Sequence, residues 1–575
     1  MGNEEVAADG GMETFGKGIP GPRGTSATVA RVPRTGLLLA CVLLLLAGFA
    51  ASLRAARPKA GPGLTTTGAV LTSTAPTALV VSGHGWGHGL GLSQWGAYGY
   101  AKHGWTYDRI LAHYYTGTTL GDAKVASVRV LLASAKQVAV ESASPWTVVD
   151  SAGTKAALDP GRIVLKGKLA LADHPDLVPP YTFTASQPLL VARVPYRGRM
   201  RVSTDGKIVQ VVDTIGLEAY LKGVVPAEMP SAWPLEALKA QAVAARSYAL
   251  ANVTAGKQFD VYGDTRDQVY GGVKAETANA STAVEATKGQ VVLYQGKVAR
   301  TLFFSTSGGR TGSAAEATGT GVPYLVPVAD PYDTASPYHD WGPVTLDAAS
   351  VAKKLKLASP IADVQATRGP SGRVKSVVVV SDDESQVTLT GSQVRTALDL
   401  RSTWFTPALL QLLPKAKTMT YGGAVSLTGR ARGVDALSLE ARPFGLDWTP
   451  AGELILGADS SFATIVRPAI GTDYRLAWGN VRVGLAKVAV AVRVDATVAN
   501  GAAAGSTKPP VTGSAAQLQW SRDGSTAWQT VASSTTDTTG AFALTAPSPE
   551  TSGAYRVRVA PGHGLAPGLS KPACC

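Results

Sequence analysis

Glu228 stands in the string Pro226-Ala227-Glu228-Met229-Pro230, a carboxylate between two prolines just ahead of a helical pattern. Prolines stiffen the backbone on both sides, and Val225, Met229 and Trp233 supply apolar surroundings. A carboxyl placed there loses hydration, its pKa rises, and it can carry a proton as a general acid. The competing reading is a helix-start glutamate interacting with the macrodipole. Arg246, one helix further on, either clamps a substrate oxygen or pairs with Glu218 or Glu236.

Four of the seven histidines, His84, His88, His103 and His113, fall close together, and the string from Gly83 begins GHGWGHGLGLSQWGA. Glycines at 83, 85, 87, 89 and 91 permit unusual backbone angles and let the chain approach a bulky ligand closely. They also argue against a helix, so the four-residue spacing of His84 and His88 does not place both imidazoles on one face. With no acidic residue near enough to complete a ligand set, hydrogen bonding is expected here and no metal. Two further strings, DTRDQVYGG from Asp264 and FFSTSGGRT from Phe303, read as polar loops after strands, the usual place for ligand contacts. Ser305 and Ser307 raise a serine-nucleophile alternative, but there is no G-x-S-x-G elbow to carry it.

The elements that must position these groups are legible from periodicity. VRVLLAS, KIVQVVDT, GQVVLY and VKSVVVVSDD are short β-branched runs bounded by Gly, Asp or Ser, and are expected as strands. Tyr107 to Tyr115 is expected as a helix, with Ile110, Leu111, Tyr114 and Tyr115 on one stripe. A second helix starts at Trp233-Pro234, and Leu235, Leu238, Ala242, Ala245 and Ala249 recur along its face. Small residues on that stripe predict close packing against a neighbour.

The chain has 575 residues, more than one core can serve, so several domains are expected. Its net charge of +13 first suggests a polyanionic partner. The charge is scattered, with seven basic and four acidic residues in 1–60 and thirteen and ten in 421–575, so a nucleic-acid stripe is not expected. Three cysteines exclude a disulfide scaffold. Residues 37–53 form an apolar run with Arg31 and Arg34 before it and Arg54, Arg57 and Lys59 after it. Export is expected, with 1–35 a disordered lead, 36–53 a signal peptide or membrane anchor, and 54–78 a Thr/Pro/Gly linker. Near the other end, Trp448, Phe462, Pro468 and Tyr474-Arg475 are echoed by Trp528, Phe542, Pro547 and Tyr555-Arg556. That repeat predicts two immunoglobulin-like β-sandwich modules, 419–493 and 494–575.

Taken together, IGLEAYLKGVVPAEMPSAWPLEALKAQAVAARSYAL, DQVYGG, FFSTSGG, LRSTWF and GHGLGLSQWGA with its trailing AKHGWTYDRILAHYYTGT resemble the SpoIID/LytB family of cell-wall proteins. The likeness runs from about Ser82 to Thr406. It implies a mixed α+β, β-rich SpoIID-like catalytic core with a few helices over 79–418. It also implies a lytic transglycosylase that cleaves peptidoglycan glycan strands, with Glu228 as the catalytic acid. One carboxylate suffices for such a reaction, because no water need be activated. By the same resemblance Arg246 positions substrate, and His88, Ser93, Gln94, Gln268, Tyr270, Ser305 and Ser307 are cleft residues. The alternative within the family is a non-catalytic glycan-binding enhancer whose partner is a cell-wall amidase; an envelope adhesin is a third reading. No cofactor is implied. Some members bind zinc through cysteines near the string matching DTRDQVYGG, where this chain has Asp264 and Asp267 and no cysteine. One departure stands out: the GHG string follows the other motifs in sporulation members and comes first here, which suits a permuted arrangement in which an N-terminal segment completes a cleft built later.

Overall fold

The computed structural model describes residues 71–73, 76–123, 127–523 and 525–574. The expected lead and the apolar segment 36–53 lie outside the described residues, as does most of the linker. Among the described residues the chain is β-rich, with eight α-helices distributed among many sheets. No helix there is long and apolar enough to cross a membrane.

The core that positions Glu228 is a seven-stranded sheet. Its central strands, Ser127–Ala135 and Val209–Gly216, pair antiparallel and carry two of the β-branched runs expected as strands. Four helices matter for the site: α1 (Gln94–Lys102), α2 (Tyr107–Tyr114), α3 (Leu217–Glu228) and α4 (Leu235–Asn252). Strand Val209–Gly216 runs straight into α3, so the sheet fixes the start of the helix that ends on Glu228. In α4 the alanines at 237, 240, 242, 244, 245 and 249 are all fully buried. Their burial on several sides makes α4 the central helix of this core, wrapped by its neighbours and not merely amphipathic.

The N-terminal strand Thr77–His84 lies between Asp340–Asp347 and Phe405–Pro414, antiparallel to both. Its residues alternate between two cores: Ala78 and Val80 face one, Leu79 and Val81 the other. A strand buried on both faces must be apolar throughout, as TALVV is. The same sheet continues through Val425–Arg432 and Ser461–Val466 and packs against a second sheet built on Thr472–Trp478 and Val481–Ala491.

The expected boundary at 418/419 is corrected here. Residue 418 begins the strand Thr418–Thr420, which pairs with Val481–Ala491, and the first C-terminal module shares its sheet with strands 77–84 and 405–414. Without those two strands its apolar face would have no cover. The second module has a core of its own, between a three-stranded sheet (Arg493–Ala499, Ala502–Lys508, Ala541–Thr545) and a five-stranded sheet centred on Ala515–Ser521 and Ala554–Ala560. The repeated Phe and Tyr are core residues in both copies: Phe462 and Tyr474 in one, Phe542 and Tyr555 in the other.

Candidate active site

Glu228 is the last residue of α3 and precedes α4; it is not at the start of a helix. Pro226 is accommodated in the last turn, where Val224 and Val225 are fully buried and hold the segment helical. The helix-start reading is therefore corrected: the carboxyl sits at the negative end of a macrodipole, which disfavours its charge. Burial is the larger influence and pushes the Glu228 carboxyl up to about 7. Two donors act in the opposite direction. The Val269 amide N–H donates to Oε1 at 2.6 Å, and the Gln94 side chain also favours the carboxylate. Neither of these groups carries a charge.

Gln94 arrives from the N-terminal glycine string. The close approach that those glycines permit is to the chain's own strand, not to a ligand as expected. Gly91 (φ 74°) leaves no room for a Cβ beside the Leu302 carbonyl, and Gly85 (φ 72°) none beside the carbonyls of Thr306 and Ser307. Strand Leu92–Ser93 then pairs with Phe303–Phe304, the Trp95 N–H donates to the Ser305 carbonyl at 3.0 Å, and α1 begins. This lacing of residues 85–95 onto 302–307 places Gln94 where its side chain favours the Glu228 carboxylate.

Three half-buried aromatic rings cluster where α1 meets the segment that leads into α4. Trp95 and Trp233 have centroids 4.7 Å apart, and Tyr98 lies 5.5 Å from Trp95 and 5.0 Å from Trp233. Trp95 follows Gln94 in α1 and Trp233 precedes α4, so the trio ties the N-terminal segment to the start of α4.

The remaining expected site residues divide. His88 keeps an exposed edge, and its ring nitrogens are both engaged: Nε2 with the Phe303 carbonyl at 3.0 Å and Nδ1 as acceptor from the Leu90 N–H at 3.0 Å. An acceptor nitrogen requires the neutral imidazole, with its proton on Nε2. Ser305 is half-buried, its hydroxyl 3.2 Å from that of Thr306, next to the Trp95 contact. These two line the same strand as the acid's neighbours.

Arg246, Gln268, Tyr270, Ser93 and Ser307 do not face a cleft. Arg246 is 0% exposed and four of its five N–H donors are engaged: Nη2 and Nε bond Glu218 at 2.5 and 2.9 Å, Nη2 also the Val284 carbonyl at 3.3 Å, and Nη1 the Gln290 carbonyl at 3.1 Å. The side chain to which the resemblance assigns substrate positioning is thus packed inside the fold, against Glu218. Gln268 is buried, accepting from the Tyr220 hydroxyl at 3.0 Å and donating to the Ala245 carbonyl at 3.2 Å. It fixes the segment that offers the Val269 amide. Tyr270 packs on Tyr196 and Tyr220, with centroids 5.3 and 5.0 Å away. Ser93 caps α1 by accepting from the Gly96 N–H at 3.1 Å.

The Ser307 hydroxyl donates to Asp333 at 2.7 Å, and Asp333 also bonds His339 Nδ1 at 2.6 Å. The carboxylate thus separates serine from imidazole. A nucleophilic serine needs the imidazole as its immediate base, so this trio does not provide one. Asp264 pairs with Arg266 at 2.6 Å, and Asp267 accepts from the Tyr248 hydroxyl and the Tyr262 N–H. No cluster of three His, Cys, Asp or Glu side chains suited to a metal occurs among the described residues.

With this geometry in view, the comparisons with known proteins are specific. The stage II sporulation protein family model, SpoIID, matches residues 205–294, which hold α3, Glu228, α4 and the Val269 amide. Residues 205–294 thus carry a SpoIID domain. Stage II sporulation protein D of Bacillus subtilis is 31% identical over 215 residues, covering 34% of this chain and 61% of that protein. A Bacillus subtilis protein named amidase enhancer is 40% identical over 141 residues, 24% of this chain and 19% of its own length. An uncharacterized Brachyspira hyodysenteriae protein is 44% identical over 118 residues, covering 20% of this chain and 32% of that one. This chain therefore spans less than two thirds of each of these relatives. Gln94 and the Trp95–Tyr98 pair lie outside the stretch that matches the SpoIID family model.

Proposed function

We propose that this chain is an exported lytic transglycosylase of peptidoglycan glycan strands, with Glu228 as its catalytic acid and base. The observation that carries the reading is the burial of Glu228: a carboxyl raised to about 7, with only the neutral Val269 N–H and Gln94 side chain opposing that rise among the described residues. Hydrolytic glycosidases use two carboxyl groups, one to protonate the leaving oxygen and one to act as nucleophile or activate water. A lone acid suits a reaction in which the sugar supplies its own nucleophile. Glu228 gives its proton to the glycosidic oxygen leaving muramic C1, and the C1–O bond breaks. The resulting carboxylate takes the proton of the same sugar's C6 hydroxyl as that oxygen bonds to C1, closing a 1,6-anhydro ring. The proton inventory of the enzyme is restored and no water is consumed.

The Val269 N–H and Gln94 stabilise the carboxylate midway through this cycle, while burial favours the acid at its start. An acid poised near neutral pH serves both halves. Trp95, Tyr98 and Trp233 offer flat apolar surfaces against which sugar rings pack. The tandem C-terminal modules are read as immunoglobulin-like sandwiches that hold the chain to the envelope, and the net charge of +13 favours that anionic surrounding. The apolar run 37–53 supports secretion or anchoring in the membrane.

The test is incubation of the purified chain with peptidoglycan stripped of its stem peptides, followed by mass spectrometry for 1,6-anhydro ends. A second reading, a glycan-gripping enhancer of a cell-wall amidase, is favoured by the relative named amidase enhancer. It expects amidase stimulation with no anhydro product.

A further inference from the structure

The two C-terminal modules repeat one surface arrangement and differ in its charge. In the first, Arg475 lies over the Trp448 ring, 4.0 Å from its centroid; in the second, Arg556 lies over Trp528 at 3.9 Å. Each arginine faces a cross-strand partner in register: Glu440 opposite Arg475, and Gln519 opposite Arg556. Glu440 bonds Arg475 at 2.7 Å and Arg482 at 2.8 Å, and Asp473 bonds Arg442 at 2.8 Å, so the first module's cations are largely neutralised. The second module has the Gln519 carboxamide where the first has the Glu440 carboxylate. Arg556 Nε donates to Gln519 Oε1 at 2.9 Å and Arg558 Nη1 to Gln517 Oε1 at 3.3 Å. Neither guanidinium has a carboxylate partner among the described residues, and burial together with the neighbouring Arg558 charge lowers the Arg556 pKa.

We propose that this outer sheet face of the second module is a binding site for a linear polyanion of phosphodiester repeats. Arg556 and Arg558 are two residues apart on one strand, so their charges are spaced by about 6.6 Å along it. That is a ladder for repeated charge on an extended polymer, not a socket for one ion. The Gln517 and Gln519 oxygens already accept from the arginines, so what the face turns outward is donors: the free guanidinium N–H groups and the carboxamide NH2 groups. A phosphodiester is acceptor-only and ionised throughout the physiological range, and guanidinium forks match its geometry. Trp528 stacked beneath Arg556 pre-orders the side chain and reduces the entropy lost on binding. Leu569, half-exposed and in register with Arg558 on the neighbouring strand, gives the polymer backbone an apolar edge.

The site would anchor the chain in the envelope and so rests on the envelope reading above for where the polymer is met; it does not depend on catalysis. The experiment measures binding of the full chain to soluble poly(glycerol phosphate) at several salt concentrations. In parallel, cosedimentation is measured with bacterial walls before and after hydrofluoric acid removes their phosphodiester polymers, and anhydro product is read in the same samples. Gln519→Glu installs the first module's own arrangement, which the fold tolerates there, and Arg558→Gln removes the second rung without adding charge.

The expected result is about tenfold weaker polymer binding for either variant, from loss of one charge-assisted contact, together with a shallower salt dependence. Stripped walls should hold wild type and variants alike, and Glu228→Gln should bind as wild type. Equal binding of Gln519→Glu, Arg558→Gln and wild type to the polymer would overturn the proposal. A difference that persists on stripped walls would also overturn it, and would assign the face to carboxylates. Absence of anhydro product with the binding difference intact would count against the catalytic reading alone.

Discussion

Gln94 Nε2 is buried without a hydrogen-bond partner among the described residues, and its side chain favours the Glu228 carboxylate at the end of α3. Gln94 favours the carboxylate while burial favours the acid. Replacing Gln94 with Leu removes the first influence and leaves the second. The pH at which activity falls should then move upward relative to wild type, with the melting temperature little changed. A pH–rate profile of the two proteins checks this; a pure packing role for Gln94 would lower the rate at every pH without moving the profile.

The acid role sets the sign of the wild-type profile. Glu228 must be protonated to act, so activity should be full below about pH 7 and fall as the pH rises through that value. Measuring initial rates of anhydro-end formation from pH 5 to 9 tests it. A rate rising through pH 7 would indicate a base-first mechanism instead.

The same group makes a stability statement. Its pKa is raised from 4.5 to about 7 by folding, so whatever stability its protonation contributes is complete below about 4.5 and is lost as the pH rises through 7. Glu228→Gln keeps the shape and removes the buried charge. The variant should be more stable than wild type above pH 8, by up to roughly 3 kcal/mol from a shift of this size at about 1.4 kcal/mol per pH unit. The two should converge near pH 4. Chemical denaturation at both pH values measures the difference.

Arg246 was legible as a functional candidate and lies fully buried, paired with Glu218. Removing it leaves the Glu218 carboxylate facing a buried wall, and breaking such pairs costs about 3 kcal/mol. Arg246→Met should lower the melting temperature strongly while kcat per folded molecule stays near wild type. Glu218→Gln in the same chain should recover part of the loss. A kcat collapse in the folded fraction would return Arg246 to the substrate.

Trp95→Ala and Trp233→Ala each remove one ring of the aromatic trio. Each should raise KM by about 2- to 10-fold, the worth of one aromatic contact of about 0.5–1.5 kcal/mol, with a smaller change in kcat. Steady-state kinetics on defined glycan strands separates the two constants.

These residues mark what the sequence could and could not tell. The alanine stripe announced α4 because helical spacing is local, and the β-branched runs announced the strands of the central sheet for the same reason. The glycines at 85 and 91 signalled a close approach, but spacing does not say to what, and the answer was the chain's own strand 302–307. Pro226 suggested a stiff segment around Glu228 but not that a helix ends there, and tertiary burial of Val224 and Val225 accompanies the helix through it. The Val269 donor is a backbone N–H and leaves no trace in residue type. The pairing of Thr77–His84 with Phe405–Pro414 is the least local relation of all, and only the unusual motif order hinted at it.

The most direct test of the account is the product itself. Purified wild-type chain acting on peptide-free peptidoglycan should release strands ending in 1,6-anhydromuramic acid, detected by mass spectrometry as a loss of one water relative to hydrolytic ends. Glu228→Gln, folded by circular dichroism, should release none above background. Hydrolytic ends alone from the wild type, or anhydro ends at full yield from Glu228→Gln, would contradict it.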